Sequence, residues 1–438
     1  MRKKIDVQYL EIGMYVAELD RPWLGTPFLF QGFEIRSQTD IDDLRRHCRW
    51  VYIEVPDNVV DPNPRNPNAK PGRAPAAAPT EAEQRFAHDV LKIVNQPRGQ
   101  PVYTDQTTLE QEIDAVRAHY GIARNLVYRI LNDARDDKGV DSGLARQVVS
   151  DLAESVLRNP DALTCFIQLK NKSEYTALHG LRVCILALMF GRHLGLDRDS
   201  LLALGIGGLL HDIGKIKLPP EIINKPTPLN EYELGVMRTH VPRGVEILER
   251  TAGIPPAAIE VVRYHHERYN GTGYMAGLKG EEIGAFGTMG GIVDCYDALT
   301  SDRAYRAGMS AHAALRQIYE WRGREFHPGM IEQFIQCMGI YPIGSVVELS
   351  TGEVGVVVAM NRVRRLKPRV VLALTASGTP YPKPVTVDLI HYKTASGGAV
   401  EIERVLDPGT YGIDPVRYLP VTKMARGTKS GDAPSEDA

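Results

Sequence analysis

A long apolar stretch in the middle of the chain ends abruptly in two ionisable residues. The segment GIGGLLHDIGKIKLP predicts an apolar helix that presents His211 next to Asp212. A buried His–Asp pair costs several kcal/mol unless another group compensates it. Neighbouring residues of a helix also point about 100° apart. His211 and Asp212 can therefore serve one cluster only if it lies between their two directions or near the end of the helix. A bound metal ion would provide the compensation.

Five further residues of the same helical region complete a set of seven candidate metal ligands. They are His179, His240, His265, His266 and Asp294. Taken singly, His179 and His240 are more typical of core or surface histidines. Together, these imidazole and carboxylate donors suit Mn, Fe, Zn or Ni. Because the set contains two adjacent pairs and no cysteine, we expect two divalent ions, Fe or Mn, rather than a structural zinc.

Changes in composition divide the chain into segments. Residues 1–60 combine strand-like runs with the helical spacing of Ile41, Leu44 and Cys48, which indicates a small α+β domain. The Pro-rich stretch after it predicts an extended linker, and the final residues predict disorder. We therefore predict a mainly α protein with this order after the first domain: linker 61–80, helical connector 81–165, helical metal-binding domain 166–340, β-rich C-terminal appendage 341–424 and tail 425–438.

The composition argues against several classes of protein. A net charge of −2 and a charged share of 24% give no reason to expect nucleic-acid binding. The five cysteines are dispersed without a Cys-x-x-Cys motif, which favours a reducing compartment over a disulfide framework. The most apolar stretch, VCILALMFG, is far shorter than the roughly 20 residues of a spanning helix. We therefore expect a cytoplasmic protein that has no secretory signal and does not insert into a membrane.

Three motifs of the helical region resemble a known family. The segments LLHDIGKIKLP, HHERYNGTGYMAGLKGEEI and IVDCYDALTSDRAYR have the order and spacing of the HD-GYP subgroup of the HD phosphohydrolase superfamily. The resemblance covers residues 165–340 and implies an HD-type helical bundle that hydrolyses the bacterial second messenger cyclic di-GMP. The small first domain and the β-rich segment also resemble an arrangement that accompanies this domain in bacterial regulators.

The resemblance implies a role for each metal ligand. One metal would be held by His179, His211, Asp212 and Asp294. Asp212 would bridge to a second metal, which would be held by His240, His265 and His266. Two such metals lower the pKa of a bridging water, so that hydroxide is available at neutral pH. The product would be linear pGpG, with further cleavage to GMP left open.

The resemblance also implies substrate contacts and a signature loop. Lys215 would contact the scissile phosphate and, with Asp212, form the catalytic pair. Arg303, Arg306 and Tyr274 would contact the ligand. The loop beside the site would consist of Gly271, Gly273, Tyr274, Met275 and Gly277.

Three positions depart from the family pattern. Asn270 stands where the family usually has Asp, and Met275 where it has Pro. Because proline fixes φ and methionine is flexible, we expect a more mobile loop, which puts its regulatory-partner role in doubt. Members with three metals carry a Glu four residues before the first histidine. Here Tyr175 occupies that position and Glu174 points about 100° away, so we predict a binuclear site.

Three functions are compatible with the sequence. The first is a metal-dependent phosphodiesterase of cyclic di-GMP. The second is a catalytically weak module that binds cyclic di-GMP or a protein, which Asn270 and Met275 favour. The third is a phosphohydrolase of another nucleotide. Protein partners of the signalling pathway would bind the GYM loop or the first domain, and a homodimer through the helices between residues 81 and 170 is a further hypothesis.

Overall fold

The computed structural model describes most of the chain in two compact units. One unit comprises residues 1–76 with 219–237, and the other comprises residues 77–218 with 238–438. The predicted linker and tail lie outside the described residues, and the predicted domain boundaries therefore stay predictions. The described residues are 2–19, 33–35, 38–54, 102–136, 138–169, 175–225, 227–302, 308–407 and 409–423.

The beginning of the chain forms the predicted α+β element. Its antiparallel sheet has the order β1-β4-β2-β3. Ile41, Leu44 and Cys48, which the helical spacing placed on one face, are all buried with Val16 and Val51 of the sheet. The elements are β1 (Arg2–Asp6), β2 (Tyr15–Leu19), β3 (Phe33–Glu34), α1 (Gln38–His47) and β4 (Trp50–Glu54).

The middle of the chain is helical, as its apolar periodicity predicts. Polar side chains start several helices, since Thr108 and Asp197 accept hydrogen bonds from the first-turn N–H groups of Gln111 and Ser200. In chain order the helices are α2 (Leu109–Arg135), α3 (Ser142–Arg158), α4 (Pro160–Ile167), α5 (Tyr175–Leu194), α6 (Arg198–Leu210), α7 (Pro220–Ile223), α8 (Glu231–Arg238), α9 (His240–Glu249), α10 (Pro256–Tyr264), α11 (Gly284–Thr300), α12 (Ala311–Glu320) and α13 (Pro328–Met338). A 3-10 turn, Ile213–Lys217, follows α6.

Helices α5 and α6 lie at the centre of the bundle because they are apolar on all sides. Every residue from 178 to 192 and from 201 to 210 is buried. Helix α6 packs along α5 and α10, and α10 packs along α11. Residues just beyond the ends of α6 and α10 can therefore reach side chains of α5 and α11. Among the described helices, none combines the length and the apolarity that a membrane crossing requires.

The β-rich segment forms an antiparallel sheet of order β8-β7-β6-β5-β9. The carboxylate of Asp161 in α4 accepts a hydrogen bond from the Met360 N–H at 2.8 Å and pairs with Arg362. The predicted appendage is thus anchored to the helices of its own compact unit. The predicted fold class, mainly α with an N-terminal α+β part and a C-terminal β-rich part, is confirmed. The strands are β5 (Val346–Leu349), β6 (Val354–Ala359), β7 (Arg369–Leu374), β8 (Pro380–Asp388) and β9 (Ile402–Leu406), and a short α14 (Pro420–Lys423) follows.

Gly214 lets the 3-10 turn after α6 lie directly against α9. A Cβ at this position would be 1.9 Å from the His240 carbonyl oxygen and 2.5 Å from the Gly244 nitrogen. Both neighbours are backbone atoms, so no side-chain movement can make room. The glycine therefore sets the distance between the end of α6 and the start of α9.

We expect Gly214→Ala to lower the stability of the folded protein by about 1–3 kcal/mol or more, because the two backbone segments must separate. Gly121→Ala in α2 is the matched control, since no atom lies within 4 Å of its added Cβ. That control should be neutral or stabilising by up to about 1 kcal/mol. Thermal unfolding of the two variants measures the difference, and equal melting temperatures would contradict the close approach.

Candidate metal centre

Both predicted ligand pairs lie directly after the end of a helix. His211 follows α6 and His265 follows α10, each at the C-cap position. Asp212 and His266 therefore belong to the turns that leave these helices. Each pair therefore occupies one of the two placements in which adjacent residues can serve one cluster, the end of a helix. The location matches the geometric requirement stated from the sequence for the His–Asp pair.

The other three predicted ligands face these pairs from neighbouring helices. His179 lies within α5, Asp294 lies within α11, and His240 is the first residue of α9. The seven side chains form two groups, in each of which the ligand atoms lie within 4.8 Å of one another. One group contains His179, His211 and Asp294, and the other contains Asp212, His240, His265 and His266. The structure thus brings all seven residues together, and their binding of metal stays a prediction.

Asp212 lies between the two groups. Its Oδ2 atom is 3.3 Å from His211 Nε2, and its Oδ1 atom is 3.3 Å from His240 Nε2. Across the first group, His179 Nε2 is 3.2 Å from His211 Nε2 and 3.1 Å from Asp294 Oδ1. The two carboxylate oxygens of Asp212 therefore face different groups, which is the placement that a bridging carboxylate requires.

Backbone carbonyls fix the orientation of two of the imidazole rings. His211 Nδ1 lies 2.8 Å from the Gly208 carbonyl oxygen, and His265 Nδ1 lies 2.9 Å from that of Val262. A carbonyl oxygen can only accept a hydrogen bond, so each Nδ1 carries the proton. Nε2 of each ring consequently faces the cluster and is the atom available to a metal.

The buried charges of the cluster stabilise one another. Burial by itself raises the pKa of a carboxyl group, but the positive charge of Lys215 holds the pKa of Asp212 well below its usual range. Burial and the neighbouring imidazoles lower the pKa of His265 to about 3, so its ring is neutral at pH 7. Burial also tends to lower the pKa of His179, yet hydrogen bonds to Asp294 and Asp297 raise it to about 9. A metal at His179 would therefore release a proton.

Asp297 and Arg182 form a second layer of residues behind His179, which the sequence did not predict. Asp297 Oδ2 accepts a hydrogen bond from His179 Nδ1 at 2.7 Å, and Arg182 donates to Oδ1 of the same carboxylate at 2.7 Å. A carboxylate behind a ligating histidine orients its ring and increases its basicity. The position of Asp297, three residues after Asp294 on the same helix, was the available signal.

Lys215 lies beside the cluster, as the sequence predicts. Its ammonium group contacts Asp212 Oδ2, and its side chain is partly exposed. The 3-10 turn after α6 places the two residues on one side, three positions apart. The structure therefore places a partly exposed positive charge directly against the carboxylate of Asp212.

The signature loop packs against the second donor pair. The Tyr274 ring stacks on the His266 ring, with centroids 4.5 Å apart and planes at 25°. A Cβ on Gly273 would be 2.4 Å from Glu267 Cα and 2.6 Å from the His266 carbonyl oxygen, so only glycine fits. Burial raises the pKa of the Tyr274 hydroxyl, which keeps it protonated.

The structure describes both positions of the signature loop that depart from the family pattern. Asn270 Oδ1 accepts hydrogen bonds from both the N–H and the hydroxyl of Thr272, at 3.0 and 2.7 Å. This Asx-type turn needs an oxygen acceptor, which Asn supplies as well as Asp. Met275 is 49% exposed and has a φ of 101°. Gly271 and Gly277, on either side, have φ values of 80° and 65°.

Several predicted residues lie outside the described part of the chain. These are Arg303, Arg306 and Glu174, together with the side chain of Tyr175. Their assigned roles in substrate contact, and the predicted count of two metals rather than three, therefore stay predictions.

The residues present fit a pair of divalent ions. The seven donors are imidazole nitrogens and carboxylate oxygens, which suit Mn and Fe, among other ions. Asp212 Oδ1 is buried without a hydrogen bond of acceptable geometry, although His240 Nε2 lies 3.3 Å away. A buried carboxylate oxygen in this state is costly, and a cation between Asp212 and the three facing histidines would satisfy it.

Comparison with known proteins agrees with this architecture. Residues 147–329 match the family model described as an HD domain, and residues 2–145 match a domain of unknown function, DUF3391. The chain is 35% identical, over 89% of both chains, to the cyclic di-GMP phosphodiesterase PA4108 of Pseudomonas aeruginosa. It is also 35% identical to the cyclic di-GMP phosphodiesterase response regulator RpfG of Xanthomonas campestris, over 35% of this chain and 41% of that protein.

Two further similarities are more limited. The chain is 31% identical to the 3'3'-cGAMP-specific phosphodiesterase 2 of Vibrio cholerae, over 38% of this chain and 32% of that protein. Among solved structures, the HDG"Y"P protein Bd1817 of Bdellovibrio bacteriovorus is 15% identical with a TM-score of 0.42, over 76% of this chain and 98% of that one.

The Pseudomonas relative aligns along almost the whole length of both proteins, and the HD-domain match spans every predicted metal ligand. This chain therefore belongs to the HD-GYP family of cyclic di-GMP phosphodiesterases, within the HD phosphohydrolase superfamily.

Proposed function

We propose that this chain is a metal-dependent phosphodiesterase that hydrolyses cyclic di-GMP to linear pGpG, to GMP or to both. The observation that supports it most is the placement of Asp212 between two groups of imidazole and carboxylate donors. The names of relatives that align over much or all of the HD domain support the choice of substrate. We further propose that the protein acts in the cytoplasm.

The ligand side chains would hold two divalent ions, Fe or Mn. When bound, the ions would polarise the phosphate and lower the pKa of a water molecule so that hydroxide is available at neutral pH. His211 and His265 present Nε2 to the cluster because backbone carbonyls hold their Nδ1–H groups. Asp297 holds the Nδ1–H group of His179, so three rings are oriented before any ion binds, and His179 would release its second proton when a metal binds.

Lys215 and Tyr274 would act on the substrate. The Lys215 ammonium group is partly exposed beside Asp212 and would place positive charge near a bound phosphate, where negative charge develops in the transition state. The Tyr274 hydroxyl stays protonated and can donate a hydrogen bond to the substrate. Arg303 and Arg306 would add further phosphate contacts, as the family resemblance implies.

Two alternatives make different predictions. A phosphodiesterase of another cyclic dinucleotide is supported by the relative named for 3'3'-cGAMP. A binding module with little turnover is supported by the departures at Asn270 and Met275. The structure gives Asn270 a turn-forming role that does not touch the donor groups, so this departure offers the binding module little support.

The first test measures metal and turnover in the same preparation. After anaerobic purification, elemental analysis should find two metals per chain, and restoring Mn or Fe(II) should support cyclic di-GMP hydrolysis. Asp212→Ala should lower metal content and reduce kcat by at least about 100-fold, because the shared carboxylate is lost. Asp407→Ala, an exposed aspartate of the β-rich part, is the control and should retain both properties. Full turnover in Asp212→Ala would refute the proposal.

Asp297→Asn tests the second layer. The substitution keeps the size of the side chain but removes the charge that holds His179 Nδ1–H and Arg182. We expect metal affinity to fall by about 10–100-fold, measured by calorimetric titration of the metal-free protein with Mn. Asp407→Asn serves as the control. Unchanged affinity would show that His179 is oriented without this carboxylate.

A substrate panel separates the alternatives. Under metal conditions that support activity, cyclic di-GMP, 3'3'-cGAMP and a linear dinucleotide should be compared by kcat/KM. We expect cyclic di-GMP to be preferred. Higher kcat/KM for 3'3'-cGAMP would favour the second candidate, and tight binding of cyclic di-GMP without turnover under any metal would favour the binding module.

A further inference from the structure

Glu267 is a buried carboxylate that the proposed reaction does not use. It is 3% exposed and directly follows the histidine pair. Its oxygen atoms accept hydrogen bonds from three consecutive backbone N–H groups of the signature loop. These are Ala276 and Gly277, at 2.8 and 3.2 Å from Oε1, and Leu278, at 3.1 Å from Oε2. The loop has no regular structure there, so these bonds supply the partners that a helix or sheet would otherwise provide.

The other half of the loop is held by the backbone that carries the histidine pair. The Tyr274 N–H donates to the His266 carbonyl oxygen at 3.2 Å, and Gly273 lies in contact with the backbone at Glu267 and Arg268. The chain is thus fixed on both sides of Met275, before it by the backbone at His266 and after it by the Glu267 carboxylate.

Met275 has an unusual backbone conformation in the turn between these two anchored segments. Its φ of 101° is a conformation that L-residues rarely adopt, and Met275 is exposed, so its own side-chain packing does not explain it. The three hydrogen bonds to Glu267 on the adjacent residues are the contacts that can hold it there. Proline cannot take this conformation, since its ring fixes φ near −65°.

The loop path also decides where Tyr274 lies. Its ring stacks on His266, and the Arg238 guanidinium lies over the same ring, 5.2 Å from its centroid. Tyr274 directly precedes Met275. A change of φ at Met275 would therefore redirect Tyr274 relative to the segment after Met275. The position of the Tyr274 ring on His266, a predicted metal ligand, is thereby coupled to the carboxylate of Glu267.

We infer that Glu267 is the positioning residue of the signature loop, and that the loop path it anchors in this chain has a conformation at position 275 that proline cannot adopt. The substitution of Met for the family's Pro then reflects a different loop conformation in this chain. Restoring proline would disrupt the loop and displace Tyr274 from His266. The inference concerns loop geometry, and it rests on the proposed function only for its consequence on turnover.

Hydrogen exchange of the full-length protein, followed by mass spectrometry, tests the loop directly. The peptide that contains Ala276 to Leu278 should exchange at least about tenfold faster in Glu267→Ala than in the unsubstituted protein, because three amides lose their acceptor. The peptide of α13, Pro328–Met338, is the internal reference and should keep its exchange rate. Unchanged exchange in the loop peptide would overturn the inference.

Substitutions at the exposed Met275 provide a test that does not depend on a buried residue. Met275→Pro should raise loop exchange as Glu267→Ala does, whereas Met275→Gly, which accepts a positive φ, should keep the loop protected. Met275→Ala controls for loss of the side chain alone and should also keep protection. Protection in Met275→Pro equal to that of the unsubstituted protein would overturn the inference, even if Glu267→Ala does not fold.

Turnover separates loop positioning from general stability. If cyclic di-GMP is hydrolysed, Met275→Pro should lower kcat/KM by about tenfold or more at unchanged melting temperature. Glu267→Gln retains one oxygen acceptor, so its kcat/KM should lie between those of Glu267→Ala and the unsubstituted protein. Higher kcat/KM in Met275→Pro would overturn the inference. The exchange experiment needs neither metal nor substrate. Its result therefore tests the role of Glu267 even if the protein does not hydrolyse cyclic di-GMP.

Discussion

Two carboxylates inside the helical bundle, the buried Asp294 and the nearly buried Asp212, impose a strict constraint on it. An ionised carboxylate in an apolar interior is costly unless positive charge and hydrogen-bond donors surround it. Here the surrounding groups are imidazole rings together with Lys215. The ligand side chains that surround them come from α5, α9 and α11 and from the ends of α6 and α10, so these five helices must converge on the cluster.

Several parts of the structure position the ligand side chains of this cluster. Each pair of adjacent ligands lies at the end of α6 or α10, where both of its side chains can reach the cluster. Gly214 allows α9 to approach until His240 reaches Asp212. Behind the cluster, Arg182 and Asp297 fix the ring of His179, and carbonyl oxygens fix two other rings. The donors are thus oriented by the fold, as preorganised sites require.

The signature loop shows why a departure from a family motif is not by itself a sign of lost function. Asn270 keeps the oxygen acceptor on which its turn depends. Met275 occupies a backbone conformation closed to proline, and a buried carboxylate holds the chain next to it. The sequence alone suggested a loosened loop, because methionine is more flexible than proline. The hydrogen bonds of Glu267 anchor the loop after Met275, and its greater mobility stays a prediction.

The sequence by itself determined which residues could form the site. Apolar periodicity predicted the helices, and the mixture of histidine and aspartate in apolar surroundings predicted the donor set, since both signals are local in the chain. Only the tertiary structure decided which partners orient those donors. The sequence carried no decisive signal for Asp297, Arg182 or Glu267. A carboxylate or guanidinium side chain acquires its role from groups up to 118 residues away, which packing brings within hydrogen-bond distance. The conformation at Met275 likewise depends on contacts with other parts of the chain, which local propensity does not encode.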